Sequence, residues 1–255
     1  AIAIAPVVTQ AKIPFVMTNA GTAWITKLSP YIVRFSFSMW HDGYAMGQYA
    51  AKNLSCKTAA VGYTDFPPGK DSVEAFRTAF EKAGGKIVDS IPMGSPAQVP
   101  DIAPFFQRVK DEKPNCFYVF VPSGNHASAV VKTYGELGLR QAGIKLIGPK
   151  DVVPDSKLQP MGDAAVGTIV MSSYSNDLDN AVNKEFVAEW HKAYGADNYP
   201  DFMSAAAWDS MHAVFQTIKK LNGKFTGDQF VAALKTWSGQ GPRGSVKIDP
   251  ATRDI

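Results

Sequence analysis

Four polar loops carry most of the side chains in this sequence that could bind a small molecule. Each loop follows a short apolar run, and a helix-like stretch usually comes next; the loops span residues 18–22, 64–69, 122–125 and 148–151. They hold hydroxyl, amide, aromatic and charged groups, but no readable pair of nucleophile and base. Since open α/β sheets bind ligands outside the carboxyl ends of their strands, the loops predict one binding site.

The first loop offers Ala20, Gly21 and Thr22 as candidate ligand contacts. Thr22 brings a hydroxyl and a backbone N–H, and Gly21 lets a ligand approach the main chain closely. The alternative is a plain turn with no role in binding.

The second and third loops offer Phe66, Ser123 and Gly124. Phe66 could cover a ligand as an aromatic lid, or its loop could only stabilise the helix that follows. Ser123 and Gly124 open a helix, whose free N–H groups attract an anion such as a carboxylate. Alternatively, Ser123 or Asn125 is only a helix cap.

The fourth loop ends in Lys150 and Asp151. A lysine near a pocket favours an anionic ligand and an aspartate favours an ammonium, whereas the alternative is a solvated pair of charges. Trp40 and Phe202 complete the candidate set. Trp40 lies near a point at which the chain is predicted to cross between two lobes, and Phe202 lies at the start of a predicted helix. For both, the alternative is a place in the core.

Several function classes are disfavoured by what the chain lacks. The four histidines are far apart and no metal-ligand spacing occurs, so no metal site and no cofactor are predicted. No nucleophile elbow or P-loop is present, so an enzyme on this kind of sheet finds no support. A net charge of +3, with scattered basic residues, does not indicate nucleic-acid binding. No apolar run reaches the roughly 18 residues of a membrane helix.

The two cysteines each open an apolar run. If the strands beginning near Cys56 and Cys116 are parallel neighbours, both thiols lie at one edge of the sheet and a disulfide is geometrically possible. The alternative is two unpaired, half-buried thiols, since pairing depends on the compartment.

The elements that must position these residues alternate between strand and helix. Periodicity predicts strands at 14–18, 31–36, 58–63, 86–91, 117–121, 144–147 and 167–171, and helices at 42–54, 71–83, 101–110 and 126–137. This order predicts an α/β fold with a doubly wound, mostly parallel sheet flanked by helices.

After residue 174 the pattern changes to helices at 183–194, 204–221 and 227–237 with no strand among them. Such helices must pack on a sheet that already exists, which the first 37 residues begin. The chain is therefore predicted to form two lobes, 1–38 with 175–255 and 39–174, with the ligand cleft between them.

A series of short motifs, weak singly but specific in this order, runs along essentially the whole chain. They are AKIP at 11–14, PYIVR at 30–34, Gly69 opening a helix that ends at Gly84-Gly85, GL at 138–139, MGDAAVG at 161–167, AWD at 207–209, GPRG at 241–244 and IDPATRD at 248–254. With them the chain resembles the type I periplasmic solute-binding proteins of ABC importers, in the branched-chain amino-acid-binding (leucine/isoleucine/valine-binding-like) family.

The resemblance implies a two-lobed protein that closes by hinge motion on a small organic solute and delivers it to permease subunits in the inner membrane. It implies a periplasmic monomer, with a signal peptide and the first βα units of lobe 1 lying upstream of Ala1. The alternative is a ligand-sensing module of a receptor or regulator with the same fold.

The resemblance also implies roles for individual residues. Ala20 and Thr22 match residues that hold the ligand carboxylate, Phe66 lies near an aromatic cover, and Ser123 or Gly124 falls at another aromatic contact. Lys150 stands where the amino-acid binders have the acid that pairs with the ligand ammonium. A lysine there predicts an aromatic or other carboxylic acid as ligand, rather than a branched-chain amino acid, unless Asp151 replaces the missing acid.

Overall fold

The computed structural model describes residues 2–94, 98 and 101–255, which form two compact units. The first unit consists of Ala1–Ser38 and Ser173–Ile255, and the second of Met39–Ser172. Ser173 and Tyr174 thus belong to the first unit, two residues earlier than the sequence suggested. The Tyr174 ring explains this, because it packs on Phe186 with centroids 6.2 Å apart.

The second unit contains a five-stranded parallel sheet with the order β4-β3-β5-β6-β7, which confirms the predicted fold class. The strands are β3 (Thr58–Thr64), β4 (Lys86–Met93), β5 (Cys116–Phe120), β6 (Lys145–Pro149) and β7 (Ile169–Met171). The central strand β5 is buried throughout, as an apolar run in a covered parallel sheet should be.

Helices of the second unit precede or connect these strands. They are α2 (Met39–Lys52), α3 (Pro67–Lys82), α4 (Ala103–Glu112), α5 (Asn125–Glu136) and α6 (Asp155–Met161). Helices α2 and α3 approach closely at Gly43 and Gly47, where a Cβ would lie 2.6 Å and 2.5 Å from backbone oxygens of α3. Helix α2 begins three residues before the predicted start, which places Trp40 in its first turn.

Cys56 and Cys116 form a disulfide, with Cα atoms 6.0 Å apart. Cys56 lies just before β3 and Cys116 opens β5, and these two strands are parallel neighbours in the sheet. The covalent link therefore joins the amino ends of two adjacent strands, opposite the edge at which the candidate loops lie.

The first unit pairs β1 (Phe15–Met17) with β2 (Ile32–Arg34) in parallel. Its helices are α1 (Ala5–Ala11), α7 (Ala181–Tyr194), α8 (Phe202–Lys220) and α9 (Gly227–Leu234). The core packs β2 and its flanking aromatic residues against α8, α9 and Trp237. Within the described residues, no helix has both the length and the apolar character needed to cross a bilayer.

One prediction for the first unit is wrong: the last helix ends at Leu234 rather than at 237. An antiparallel hairpin follows, made of β8 (Ser238–Gly241) and β9 (Gly244–Lys247). The glycine-rich sequence of this hairpin has little strand propensity, which is why periodicity did not reveal it. Gly244 supplies the positive φ of +95° at the turn.

The hairpin explains two of the sequence motifs. Arg243, at its turn, pairs with Asp209 of α8, with Nη2 2.6 Å from Oδ2, and both side chains are buried. Arg243 also donates to the Phe35 carbonyl at 3.0 Å. Gly241 lets the carboxylate approach, since a Cβ there would lie 1.8 Å from the Asp209 Oδ1 atom. The AWD and GPRG motifs therefore form one structural contact.

Candidate functional site

In the first unit, the loop at 18–22 follows β1 and is fastened by a buried arginine. Arg34, in β2, is 1% exposed. Its Nη1 atom donates to the carbonyl oxygens of Ala20, at 3.1 Å, and Thr22, at 2.6 Å. Its Nη2 atom donates to the Ala23 carbonyl at 3.3 Å. These bonds fix the carbonyl side of the loop and preorganise its backbone.

Asp254 neutralises that arginine. The two side chains form a bidentate pair, with Arg34 Nε 2.5 Å from Oδ1 and Nη2 2.9 Å from Oδ2. This geometry is the strong form of an Arg–carboxylate contact. The neighbouring Arg253 donates to the carbonyls of Thr26, at 2.6 Å, and Ile32, at 3.1 Å. The IDPATRD motif thus holds both β2 and the candidate loop.

Sequence reasoning missed Arg34 and Asp254 as supports of the site. The available signal was a charged residue inside a run of Ile, Val and Phe, because arginine is rarely buried in a strand without a partner. The partner lies 220 residues further along the chain, at a separation that no local pattern reveals.

The Ser36 hydroxyl forms hydrogen bonds with both backbone groups of Ala20. The Ala20 N–H donates to Ser36 Oγ at 3.0 Å, and that hydroxyl donates to the Ala20 carbonyl at 3.2 Å. Thr22 is 5% exposed, and in the described part of the chain neither its N–H nor its hydroxyl has a partner. The donors left for a ligand in this loop are therefore those of Gly21 and Thr22.

The helix that Phe202 opens contacts the same loop. This helix is α8, and Asn19 donates from Nδ2 to the sulfur of Met203, the residue after Phe202, at 3.2 Å. Asp201 caps this helix, accepting N–H bonds from Met203 and Ser204 at 3.0 Å each. Phe202 also packs against the core cluster that contains Tyr174. These contacts fit the alternative stated in the sequence analysis, in which Phe202 has a place in the core.

In the second unit, Phe66, Ser123 and Lys150 follow β3, β5 and β6, which are neighbours in a parallel sheet. Their loops therefore meet at the carboxyl edge of that sheet. Phe66 is half-buried and stacks on Phe120, the last residue of β5, with ring centroids 6.0 Å apart. Phe120 was not among the predicted site residues, and it extends the aromatic surface at this edge.

The loop at 122–125 leads directly into α5. Gly124 has a φ of +119° and takes the cap position, where it offers no side chain. Among the residues that the structure describes, no side-chain hydrogen bond caps this helix, so the alternative that Ser123 or Asn125 is its cap is wrong. The Ser123 hydroxyl instead donates to the Asp151 carbonyl at 3.3 Å. That bond links the third and fourth loops.

Lys150 is paired with Asp155 rather than with Asp151. Its Nζ atom lies 2.9 Å from Asp155 Oδ1, and the two side chains are 15% and 8% exposed. The second oxygen of Asp155, Oδ2, is buried and has no partner among the described residues. The pair therefore keeps free donors on the ammonium and a free acceptor on the carboxylate.

Asp151 has an electrostatic neighbour in Asp42. Burial and the nearby Asp151 carboxylate raise the pKa of Asp42 to about 8. Asp42 lies in the first turn of α2, two residues after the half-buried Trp40. A largely protonated Asp42 is a neutral hydrogen-bond donor at physiological pH. Sequence alone could not show this, since the shift comes from burial.

Comparison with known proteins gives consistent matches along the chain. A family model described as periplasmic binding protein matches residues 1–254. The Leu/Ile/Val-binding protein homolog 6 of Brucella abortus (strain 2308) is 35% identical over 255 residues, covering all of this chain and 65% of that protein. The chain thus spans about two thirds of the length of the curated relatives it matches.

Solved structures match as well. A solute-binding protein of an ABC transporter from Rhodopseudomonas palustris BisB5, in complex with 3,4-dihydroxybenzoic acid, is 44% identical with a TM-score of 0.92. A solute-binding protein of an ABC transporter from R. palustris, in complex with 4-hydroxybenzoate, is 35% identical with a TM-score of 0.93. Each covers all of this chain, and the chain covers 68% of each.

Proposed function

Because the chain belongs to the periplasmic binding protein family, we propose that it is the substrate-binding component of an ABC importer for aromatic carboxylic acids. The observation that carries this proposal is the 44% identity to a solute-binding protein in complex with 3,4-dihydroxybenzoic acid. We further propose a periplasmic location, a monomeric state and delivery of the solute to permease subunits in the inner membrane.

The first unit supports binding of a carboxylate. Gly21 and Thr22 offer donors on a loop that Arg34 and Ser36 hold in place. Since the loop is already ordered, binding an anion there costs little additional conformational entropy. We assign the ligand carboxylate to these donors.

The second unit supports binding of an aromatic ring. Phe66 and Phe120 form a stacked pair at the carboxyl edge of the sheet. Offset or tilted contacts between aromatic rings add about 0.5–1.5 kcal/mol to the burial of their area. We assign the ring contact of the ligand to Phe66.

The Lys150–Asp155 pair supports a hydroxylated ring rather than an amino acid. Lys150 would repel a ligand ammonium, and the charge of Asp155 is already balanced by Lys150. A phenolic hydroxyl both donates and accepts, so it complements the free oxygen of Asp155 and the free donors of Lys150. We therefore propose hydroxybenzoates as the preferred solutes.

The experiment is a thermal-shift screen of the complete polypeptide that carries this sequence. The panel contains benzoate, 4-hydroxybenzoate, 3,4-dihydroxybenzoate, leucine, isoleucine and valine. A ligand at one hundred times its Kd adds about 2.7 kcal/mol to the unfolding free energy. Shifts with the aromatic acids and none with the amino acids are expected. Shifts with the amino acids alone would show that the proposal is wrong.

The relatives also bear on the alternative of a sensing module. The two solved structures described above are solute-binding proteins of ABC transporters, which favours import. No feature of the described residues specifically favours a receptor or regulator.

A further inference from the structure

Helices α7 and α8 of the first unit form a half-open pocket separate from the candidate loops. Its volume is about 260 Å³. The lining is aromatic and acidic, and its main members are Glu185, Phe186, Glu189, Trp190, Tyr194 and Trp208. None of these residues belongs to the proposed aromatic-acid site.

The aromatic rings of this pocket are held by contacts with one another and with nearby side chains. Trp190 and Tyr194 have centroids 4.4 Å apart, and Phe186 lies 6.0 Å from Trp190 and 6.4 Å from Trp208. The Trp190 indole N–H donates to Asn198 at 2.9 Å, which fixes the orientation of that ring. Tyr194 is 62% exposed, so solvent reaches the group.

The charged residues that line the pocket are acidic. Glu185 and Glu189 both line it, and no basic side chain does. Glu189 is paired with Lys192 on the same helix. Within the described residues Glu185 has no hydrogen-bond or ion-pair partner, and the adjacent Lys184 is paired with Asp179 at 2.6 Å. An anion is therefore disfavoured here, whereas a cation meets a free carboxylate and electron-rich rings.

We propose that this pocket binds a small organic cation of the alkylammonium or quaternary ammonium class. Ammonium groups are attracted to the faces of Trp and Tyr rings, and more strongly when the cation is desolvated. The pocket is smaller than the roughly 300–1,000 Å³ of sites that hold drug-sized ligands, so it suits a compact head group. The ligand class is opposite in charge to the proposed transported acid, and the two sites are chemically independent.

The test is a titration with tetramethylammonium chloride at constant ionic strength, followed by tryptophan fluorescence and calorimetry. The neutral tert-butanol, of similar size and shape, is the control ligand. Tetramethylammonium should bind at least about fivefold more tightly than tert-butanol, because only the cation gains the cation–π and carboxylate terms.

Two variants locate the site. Glu185→Gln removes an exposed charge with little risk to folding and should weaken tetramethylammonium binding about threefold to tenfold. Trp190→Leu should weaken it further, and Glu136→Gln on α5 is the matched control that should leave it unchanged. Equal affinity for the cation and tert-butanol, or cation binding that is unaffected by Glu185→Gln, would overturn the proposal.

Discussion

Asp42 of the second unit differs from the paired carboxylates of the first unit. In the first unit Asp254 and Asp209 are each paired with a buried arginine. In the second unit Asp42 has no basic partner in the described residues, and burial instead raises its pKa to about 8. The arginine pairs of the first unit fix backbone, and Arg243 opposes the rise that burial causes in the pKa of Asp209. Asp42 has an acidic neighbour in Asp151 instead of an opposing cation, so it is left as a group that titrates near neutral pH.

The candidate loops of the two units also differ in the groups that they offer to a ligand. The first-unit loop presents backbone donors on a braced main chain, which suits the carboxylate that the proposed ligands, the benzoates, share. The carboxyl edge of the second-unit sheet presents side chains, namely Phe66, Lys150 and Asp155, which suit the part of the proposed solutes that varies. We infer that affinity depends mainly on the first unit and selectivity mainly on the second.

The largest predicted effect tests the bracing of the first unit. Arg34→Met would leave Asp254 without its partner and three loop carbonyls without their donor. The unfolding free energy should fall by about 3–5 kcal/mol, as when one partner of a buried ion pair is removed. Urea denaturation measures this change. Lys220→Met, which removes an exposed positive charge on α8, is the control and should stay within about 0.5 kcal/mol of the parent.

The second prediction concerns pH and the buried acid of the second unit. The pKa of Asp42 is raised from 3.8 to about 8, so the folded state binds an extra proton between these values. Stability contributed by the protonated form is present at low pH and is lost as pH rises toward 8. The unfolding free energy should fall by up to about 1.4 kcal/mol per pH unit in this range.

The measurement for Asp42 is urea denaturation at pH 6 and pH 8. Between these values the parent should lose about 2 kcal/mol more than Asp42→Asn, which stays neutral and keeps a similar shape. Equal pH dependence in the two proteins would contradict the assignment of a raised pKa to Asp42.

The third prediction tests selectivity in the second unit. Removing both charges with Lys150→Met and Asp155→Leu avoids leaving one buried ion alone. If the pair recognises the ring hydroxyl, the preference for 4-hydroxybenzoate over benzoate should fall about tenfold, the effect of one lost charge-assisted hydrogen bond of about 1.4 kcal/mol. Calorimetry with both ligands provides the ratio, and benzoate itself is the internal control. An unchanged ratio would show that the Lys150–Asp155 pair does not contribute to specificity.

Whether a structural feature could be predicted from the sequence depends on how far apart in the chain the interacting residues lie. The strand-to-loop pattern predicted the parallel sheet and the placement of Phe66, Ser123 and Lys150 at its carboxyl edge, because both follow from local periodicity. The bonds of Arg34 to Asp254 and Arg243 to Asp209 join residues 220 and 34 positions apart, and no local pattern reports them.

Lys150 shows a different limit of sequence reasoning. Its position at the end of β6 was predictable, but its partner was not. Asp151 is adjacent in sequence, yet the side chain that reaches the ammonium is Asp155, at the start of α6. The choice depends on how Pro154 and the short 3-10 helix at Lys150–Val152 direct the chain.

The smallest predicted effects compare single hydroxyl groups in the two units. Ser36 both accepts the Ala20 N–H and donates to the Ala20 carbonyl, so Ser36→Ala should cost about 1–1.5 kcal/mol of unfolding free energy. Ser123 makes one longer bond to Asp151, so Ser123→Ala should cost less than about 0.5 kcal/mol.

The two serine variants also separate affinity from selectivity. Ser36→Ala loosens the braced loop, so it should weaken all benzoates by a similar factor and leave their ranking unchanged. Ser123→Ala frees the Asp151 backbone next to Lys150, so it should alter the ratio of hydroxylated to unsubstituted ligands more than the average affinity. Calorimetric titrations of both variants with benzoate and 4-hydroxybenzoate measure the two quantities. A change in ranking from Ser36→Ala would mean that the first unit also contributes to discrimination, and the division of roles would have to be abandoned.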